Sequence, residues 1–262
     1  MNNYEKLEGM VAATFTPLDE NGDVNLSVID KYADWIASTP IKGVFVCGTT
    51  GEFSSLTIDE RKLILEKWLV SARKRFKVIA HVGSNCQRSA MELARHAAQV
   101  GADAIASIAP SFFKPGTVDE LVDFFAPICH SAAGLPFYYY NMPSITGVNL
   151  PVDKFLVEGK KKIPNLVGTK FTHNNLMEMG VCIELEQHRF EVLHGYDEIL
   201  ISGLAMGAVA GVGSTYNYIP NVYQAIFDSM KMNDLETARH NQIKSIRTVE
   251  VIIKYGGGVR GG

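Results

Sequence analysis

Leu166-Val167-Gly168-Thr169-Lys170-Phe171-Thr172 is a run in which every residue but the lysine is apolar, small or β-branched. Strict alternation of apolar and polar residues marks a strand with one wet face, whereas a near-continuous run marks a parallel strand covered on both faces. Runs of the same kind occupy residues 10–14, 43–48, 77–83, 102–109, 135–141, 191–195 and 208–214, which makes eight with this one. Segments of helical period lie between them. Ile64, Leu65, Trp68, Leu69 and Ala72 share one face, and Thr57 with Glu60 three residues later forms a capping box ahead of it. Ala90, Leu93, Ala94, Ala97 and Ala98 repeat the spacing before Gly101, a C-terminal stop. Leu121, Phe124, Phe125 and Ile128 do so after Thr117 and Glu120, with Pro127 expected to kink or shorten that helix.

The repeating unit is therefore strand, loop, helix, and eight units in 262 residues predict an α/β protein with a closed (β/α)8 TIM barrel. An open doubly wound sheet fits less well, because no GxGxxG turn follows the first strand. No linker, low-complexity tract or charge run divides the chain, so residues 1–262 read as a single barrel domain.

Composition narrows the function classes. Lys and Arg together number 25 against 28 Asp and Glu, for a net charge of -3, and the basic residues are scattered. Neither a nucleic acid nor an anionic membrane is the expected partner; a small-molecule substrate is. Cys47, Cys86, Cys129 and Cys182 include no CxxC pair, which predicts reduced, mostly buried thiols and no structural zinc. The N-terminus lacks a signal-peptide stretch, and no apolar run approaches the ~20 residues of a membrane span. The expected compartment is the cytoplasm.

In a barrel of this kind the chemistry belongs to the C-terminal strand ends and the loops after them. Lys170 lies near the end of its run. Apolar and β-branched neighbours desolvate its amine and disfavour the ammonium form, and a neutral amine attacks ketones. The bland reading is a lysine whose stem packs and whose head snorkels to solvent. Gly48-Thr49-Thr50-Gly51-Glu52 follows the second run and offers hydroxyls and backbone amides to a carboxylate, although the string taken alone reads first as a glycine-permitted turn capping the next helix. Tyr138, Tyr139 and Tyr140 must alternate in direction, and Tyr140, beside Asn141-Met142-Pro143-Ser144, is placed to relay a proton. Asp197 and Glu198 after Gly195-Tyr196 suit a helix N-terminus as well as sugar hydroxyls. Glycines in Gly211-Val212-Gly213-Ser214-Thr215-Tyr216 permit close approach of a ligand.

Three motifs carry no function. Asp19-Glu20-Asn21-Gly22-Asp23 lacks the twelfth-position glutamate of a calcium loop and reads as a surface turn. The stretch 256–262 has no Lys-Ser/Thr and is not a P-loop. No HxH or HxxxH spacing occurs, so His81, His173 and His194 read as hydrogen-bonded wall residues rather than metal ligands.

Taken in order and spacing, GTTGE, YYYNMPS, GTKFT, GYDEILISGLAMGA and GVGSTYN resemble the N-acetylneuraminate lyase and dihydrodipicolinate synthase family of pyruvate-dependent class I aldolases, from Leu7 onward. The resemblance implies a Schiff base on Lys170, proton handling by Tyr140, and a pyruvate-derived carboxylate held at Thr49 and Thr50. It implies no metal or other cofactor and a homotetramer built from dimers. Thr172, Gly195, Asp197, Glu198 and Ser214 are similar to the branch that cleaves sialic acid to N-acetylmannosamine and pyruvate, where they bind the polyhydroxy part of the sugar. The synthase branch carries an arginine in YN-x-P-S-R-T-G, where this chain has Ile145, which cannot grip a carboxylate. An aldolase or synthase for another 2-oxo acid, such as a keto-deoxy sugar acid, stays open, as does a non-catalytic binding protein. Two departures stand out. Phe112-Phe113 replaces a pair whose second member is a tyrosine in many relatives, and the chain stops at Gly262 where relatives continue. The eighth barrel helix is accordingly expected to be missing or incomplete, with the C-terminal helical segment truncated.

Overall fold

The computed structural model describes residues 5–257. All eight predicted runs are strands: β1 (Gly9–Ala13), β2 (Gly43–Val46), β3 (Lys77–His81), β4 (Ala104–Ile108), β5 (Phe137–Asn141), β6 (Leu166–Phe171), β7 (Glu191–His194) and β8 (Ala210–Gly213). They pair in parallel and in chain order, and β8 closes on β1, so the described residues form a closed barrel.

Closure buries both faces of every strand, and parity sorts the side chains. Val11, Phe45, Ile79, Ala104, Ala106, Tyr138, Tyr140, Leu193 and Val212 pack inside the barrel. Met10, Val44, Val78, Ile105, Phe137, Tyr139 and Phe171 face the surrounding helices. The three consecutive tyrosines show the rule. Tyr138 points inward and donates to Glu191 Oε2 (3.0 Å), while Tyr139 packs outward 4.6 Å from the Phe155 ring. Glu191 also accepts from Leu7 N (2.9 Å), and its carboxyl is pushed up by burial.

Helices α1 (Val28–Ala37), α2 (Ile58–Ala72), α3 (Gln87–Val100), α4 (Val118–His130), α5 (Pro143–Thr146), α6 (Val152–Lys162), α7 (Leu176–Glu184), α8 (Leu200–Ala205), α9 (Pro220–Lys231) and α10 (Leu235–Lys254) follow in chain order. The capping box at Thr57 and Glu60 is present, and Ile64, Leu65, Trp68 and Ala72 are buried on the face it opens. Gly101 ends α3 in the left-handed conformation. Asp19 accepts from Asn21 N and Asp23 N, which makes the acidic stretch the expected surface turn.

Two expectations need correction. Pro127 does not shorten α4, which continues to His130; it sits in the last turn, where its carbonyl still accepts from Ser131 N and Oγ. The eighth barrel helix is present as α9, with Tyr223, Ile226 and Phe227 buried, and α10 packs along it. Pro220 at the first helical turn starts α9 soon after β8, because its lost N–H is one that a helix start leaves unpaired anyway. Of the glycine stretch at 256–262, residues 258–262 lie outside the described residues. Among the described residues no helix is long and apolar enough to cross a membrane.

Gly168 pairs with Glu191 across β6 and β7, and a Cβ there would overlap the Glu191 carbonyl oxygen. Gly168→Ala is expected to cost about 1–3 kcal/mol, seen as a drop of several degrees in Tm by calorimetry.

Candidate active site

Nine residues singled out in the sequence meet at the C-terminal mouth of the barrel. Thr49, Thr50, Tyr140, Lys170, Thr172, Gly195, Asp197, Glu198 and Ser214 all line one cavity of about 260 Å³. A wider groove of about 560 Å³ includes Lys42, Lys74, Arg75 and Lys77 but none of these nine. Size does not distinguish the two openings; the chemistry of the lining does.

Lys170 is inward-facing by the parity of β6, where Thr169 and Phe171 point to the helices. Its side chain is only 4% exposed, and Nζ lies 4.0 Å from the Tyr140 ring centroid and 4.3 Å from that of Phe45. Aromatic faces attract a cation and leave the amine no fixed hydrogen-bond partner to surrender before it reacts. Strand register places Tyr140 directly beside Lys170. The Tyr140 hydroxyl stands 3.2 Å from Thr49 Oγ1 and 3.1 Å from Met142 Sδ. Phenol and hydroxyl thus form a pair through which a proton can pass between loop and strand.

The loop carrying Thr49 and Thr50 is entered and left through strained backbone: Cys47 and Glu52 have φ of 54° and 53°. Its own bonds, Glu52 N to Thr49 O and Phe53 N to Gly48 O, hold it, and Thr16 Oγ1 donates to Gly51 O at 2.7 Å. The left-handed residues of this turn are Cys47 and Glu52 rather than its glycines, no side chain caps the short helix that follows, and Thr49 and Thr50 both line the cavity.

Two residues beyond Lys170, Thr172 Oγ1 is buried with no hydrogen-bond partner among the described residues. Such a hydroxyl has its full hydrogen-bonding capacity to offer. A Cβ on Gly195 would overlap it, so glycine is what leaves room for that hydroxyl. Asp197 is 5% exposed, and its Oδ2 accepts from Thr215 N (2.8 Å) and Thr215 Oγ1 (2.7 Å). A Cβ on Gly213 would overlap Asp197 Oδ1, so the carboxyl lies directly over that glycine. Burial pushes the Asp197 carboxyl up to about 6, against the opposing pull of the Thr215 bonds and the Lys170 charge. Glu198 and Ser214 are half-buried at the same wall.

Several residues of the site were not legible as such. Thr215, neighbour to the Ser214 that the sequence suggested, is the partner of Asp197. Val249, Ile252 and Ile253 of α10 wall the cavity from outside the barrel, and their helical spacing was the available signal. His81 is buried and its Nδ1 meets Cys47 O at 2.8 Å, in keeping with a wall residue; the Arg61 guanidinium donates to the carbonyls of His81 and Gly83. Burial drives His194 down to about 4. Among the described residues no three His, Cys, Asp or Glu side chains converge as metal ligands would. Ile145 is 61% exposed on α5, and Phe112 and Phe113 are exposed on the loop after β4.

The sequence and the fold have counterparts among known proteins. The sequence profile of the dihydrodipicolinate synthetase family matches residues 6–257. The chain belongs to that family. Within it, the N-acetylneuraminate lyase of Mus musculus is 42% identical over 258 residues, covering 97% of this chain and 81% of the relative. The solved N-acetylneuraminate lyase of Proteus mirabilis superposes with a TM-score of 0.94 at 34% identity, over 98% of this chain and 91% of that one. The sialic acid aldolase of Aliivibrio salmonicida gives a TM-score of 0.94 at 38% identity, over 97% and 84% of the two chains.

Asp197 titrates near 3.8 when unfolded and near about 6 in the fold. Between these values the fold holds a proton that the unfolded chain has released, so stability falls as pH rises through the window and the cost is full above it. Asp197→Asn, which carries no charge, is expected to raise Tm by a few degrees near pH 8, with the advantage vanishing as pH falls to about 4. Calorimetry across this range checks both parts.

Proposed function

We infer that the protein is a Schiff-base aldolase that reversibly cleaves N-acetylneuraminate to N-acetylmannosamine and pyruvate. The observation that carries this reading is one cavity that combines two kinds of group. A buried amine beside a phenol–hydroxyl pair shares its lining with an unpartnered hydroxyl and two acids.

Each residue has a part. The hydroxyls of Thr49 and Thr50 hold the substrate carboxylate, and the neutral Lys170 amine adds to the C2 ketone, losing water to form an iminium. Tyr140 gives its hydroxyl proton to the departing water and, now as the phenolate, accepts the C4 hydroxyl proton. The C3–C4 bond breaks, its electron pair passes into the iminium to give an enamine, and N-acetylmannosamine departs. Protonation at C3 and addition of water then release pyruvate and restore Lys170. Thr172, Gly195, Asp197, Glu198 and Ser214 bind the polyhydroxy chain. A carboxylate accepts hydroxyl protons well, so two acids suit a neutral polyol better than a second anionic substrate. The absence of a cation at Ile145 points the same way.

Reduction by borohydride in the presence of pyruvate is expected to leave a stable adduct on Lys170, read by intact mass and peptide mapping, and Lys170→Ala is expected to lose both adduct and turnover. Tyr140→Phe should form the adduct but cleave the sugar about 100- to 10,000-fold more slowly. Absence of an adduct in the folded wild type would favour a binding protein. An adduct without cleavage of N-acetylneuraminate would favour another 2-oxo acid as substrate.

We further propose a cytoplasmic homotetramer. Cys47, Cys86, Cys129 and Cys182 are all unpaired, as a reducing compartment keeps them. Two exposed apolar faces support self-association: Phe112 and Phe113 on the loop after β4, and Met177, Val181 and Met206 along α7 and the end of α8. Light scattering should give four times the 28.8 kDa chain mass, and Met177→Lys should reduce it to two. A monomeric wild type would overturn the assignment.

A further inference from the structure

Asp197 does not hold its position alone. The turn that carries it, Asp197–Ile199, is clamped from outside the barrel by one side chain of α10. Gln242 Nε2 donates to the Asp197 carbonyl at 3.0 Å, and Gln242 Oε1 accepts from Ile201 N at 2.8 Å. The same amide nitrogen donates to Ser245 Oγ at 2.6 Å, so both protons and the oxygen of this 4%-exposed amide are engaged.

A second line reaches the carboxyl itself. Thr215 Oγ1 gives its single proton to Asp197 Oδ2, so its bond with Tyr223 must run from the tyrosine hydroxyl to the threonine oxygen. Ser245 on α10 gives its own proton to the Gln242 carbonyl at 2.8 Å and accepts from the Gln242 amide, so it braces Gln242. Tyr223 and Ser245 are fully buried, and neither lines the cavity. Thr215 occupies Oδ2 through its amide and its hydroxyl, which leaves Oδ1, above Gly213, as the oxygen available to a ligand.

The packing of α9 against α10 brings these two lines to the same turn, and helix geometry adds the cavity wall. Gln242, Ser245, Val249 and Ile252 fall at i, i+3, i+7 and i+10, on one face of α10. The first half of that face fixes the Asp197 turn, and the second half walls the cavity. We propose that Gln242, Tyr223 and Ser245 are positioning residues that aim Asp197 at the polyhydroxy chain of the substrate, so that the seating of α10 sets selectivity at the sugar end without touching the Schiff-base end. The inference rests on the polyol-binding reading of Asp197.

The two ends can be assayed apart. Gln242→Met keeps length and removes every hydrogen bond, and Tyr223→Phe keeps the ring and removes the hydroxyl. Both are expected to form the borohydride-trapped pyruvate adduct within about twofold of wild type. Both are expected to raise KM for N-acetylneuraminate about tenfold with a smaller change in kcat. In the condensation direction with pyruvate, the preference for N-acetylmannosamine over propionaldehyde, measured as a ratio of kcat/KM, should fall about tenfold. Gln242→Glu restores the acceptor for Ile201 N but sets a carboxylate against the Asp197 carbonyl, and it should be no better than Gln242→Met.

An unchanged aldehyde preference in Tyr223→Phe would overturn the proposal, whether or not Gln242→Met folds. A parallel loss of adduct formation and turnover would also overturn it, since that is the signature of a general structural role. A wild type that traps pyruvate but does not cleave N-acetylneuraminate would instead refute the proposed substrate. The aldehyde ratio, measured with whichever polyhydroxy aldehyde the wild type accepts, still decides the role of α10.

Discussion

Barrel closure is the constraint on which everything else here depends. Because β8 pairs with β1, no strand has a free edge or a wet face, and the direction of each side chain is settled by parity along its strand. Tyr138, Tyr139 and Tyr140 are chemically identical and meet three environments: a buried acid, a ring of phenylalanines, and the cavity with its hydroxyls. Lys170 shares the parity of Gly168 and must therefore point inward, where two aromatic faces receive it. A lysine one residue earlier or later would face the helices.

The cavity that results is electrostatically divided. On one side the Lys170 amine lies against ring faces, and on another Asp197 carries a charge that is unfavourable where it sits. Four polar contributions keep that carboxyl in place: two bonds from Thr215, the reach of the Lys170 charge, and the clamp from α10. Such a group costs the fold stability, and a buried acid placed at this expense beside an unpartnered hydroxyl is the arrangement expected where binding, rather than packing, chose the residue.

Most of the architecture was legible because it is written in short-range pattern. Apolar runs of strand length, the Thr57–Glu60 capping box and Gly101 each act through neighbours within a few residues, and each appears as expected. Pro127 was misjudged because the effect of a proline depends on its distance from the helix end, and this one lies in the final turn. The eighth helix was misjudged because comparison with longer chains says nothing about where a helix begins, whereas Pro220 does. The nine candidate residues were recoverable since the barrel rule sends them all to one rim.

The sequence by itself determined the class of fold, the inward lysine and the set of groups gathered at one end of the barrel, because parity and strand order follow from the chain. Only the tertiary structure decided how those groups are held. Thr215 rather than Ser214 braces Asp197, Met142 meets Tyr140, and Gln242 reaches back 45 residues to clamp the turn at Asp197. Such contacts join residues distant in sequence through the packing of α9 and α10 against the barrel, and no periodicity along the chain encodes the partner of a buried polar atom. Hydrogen-bond demand in a dry interior selects that partner from whatever the fold brings near.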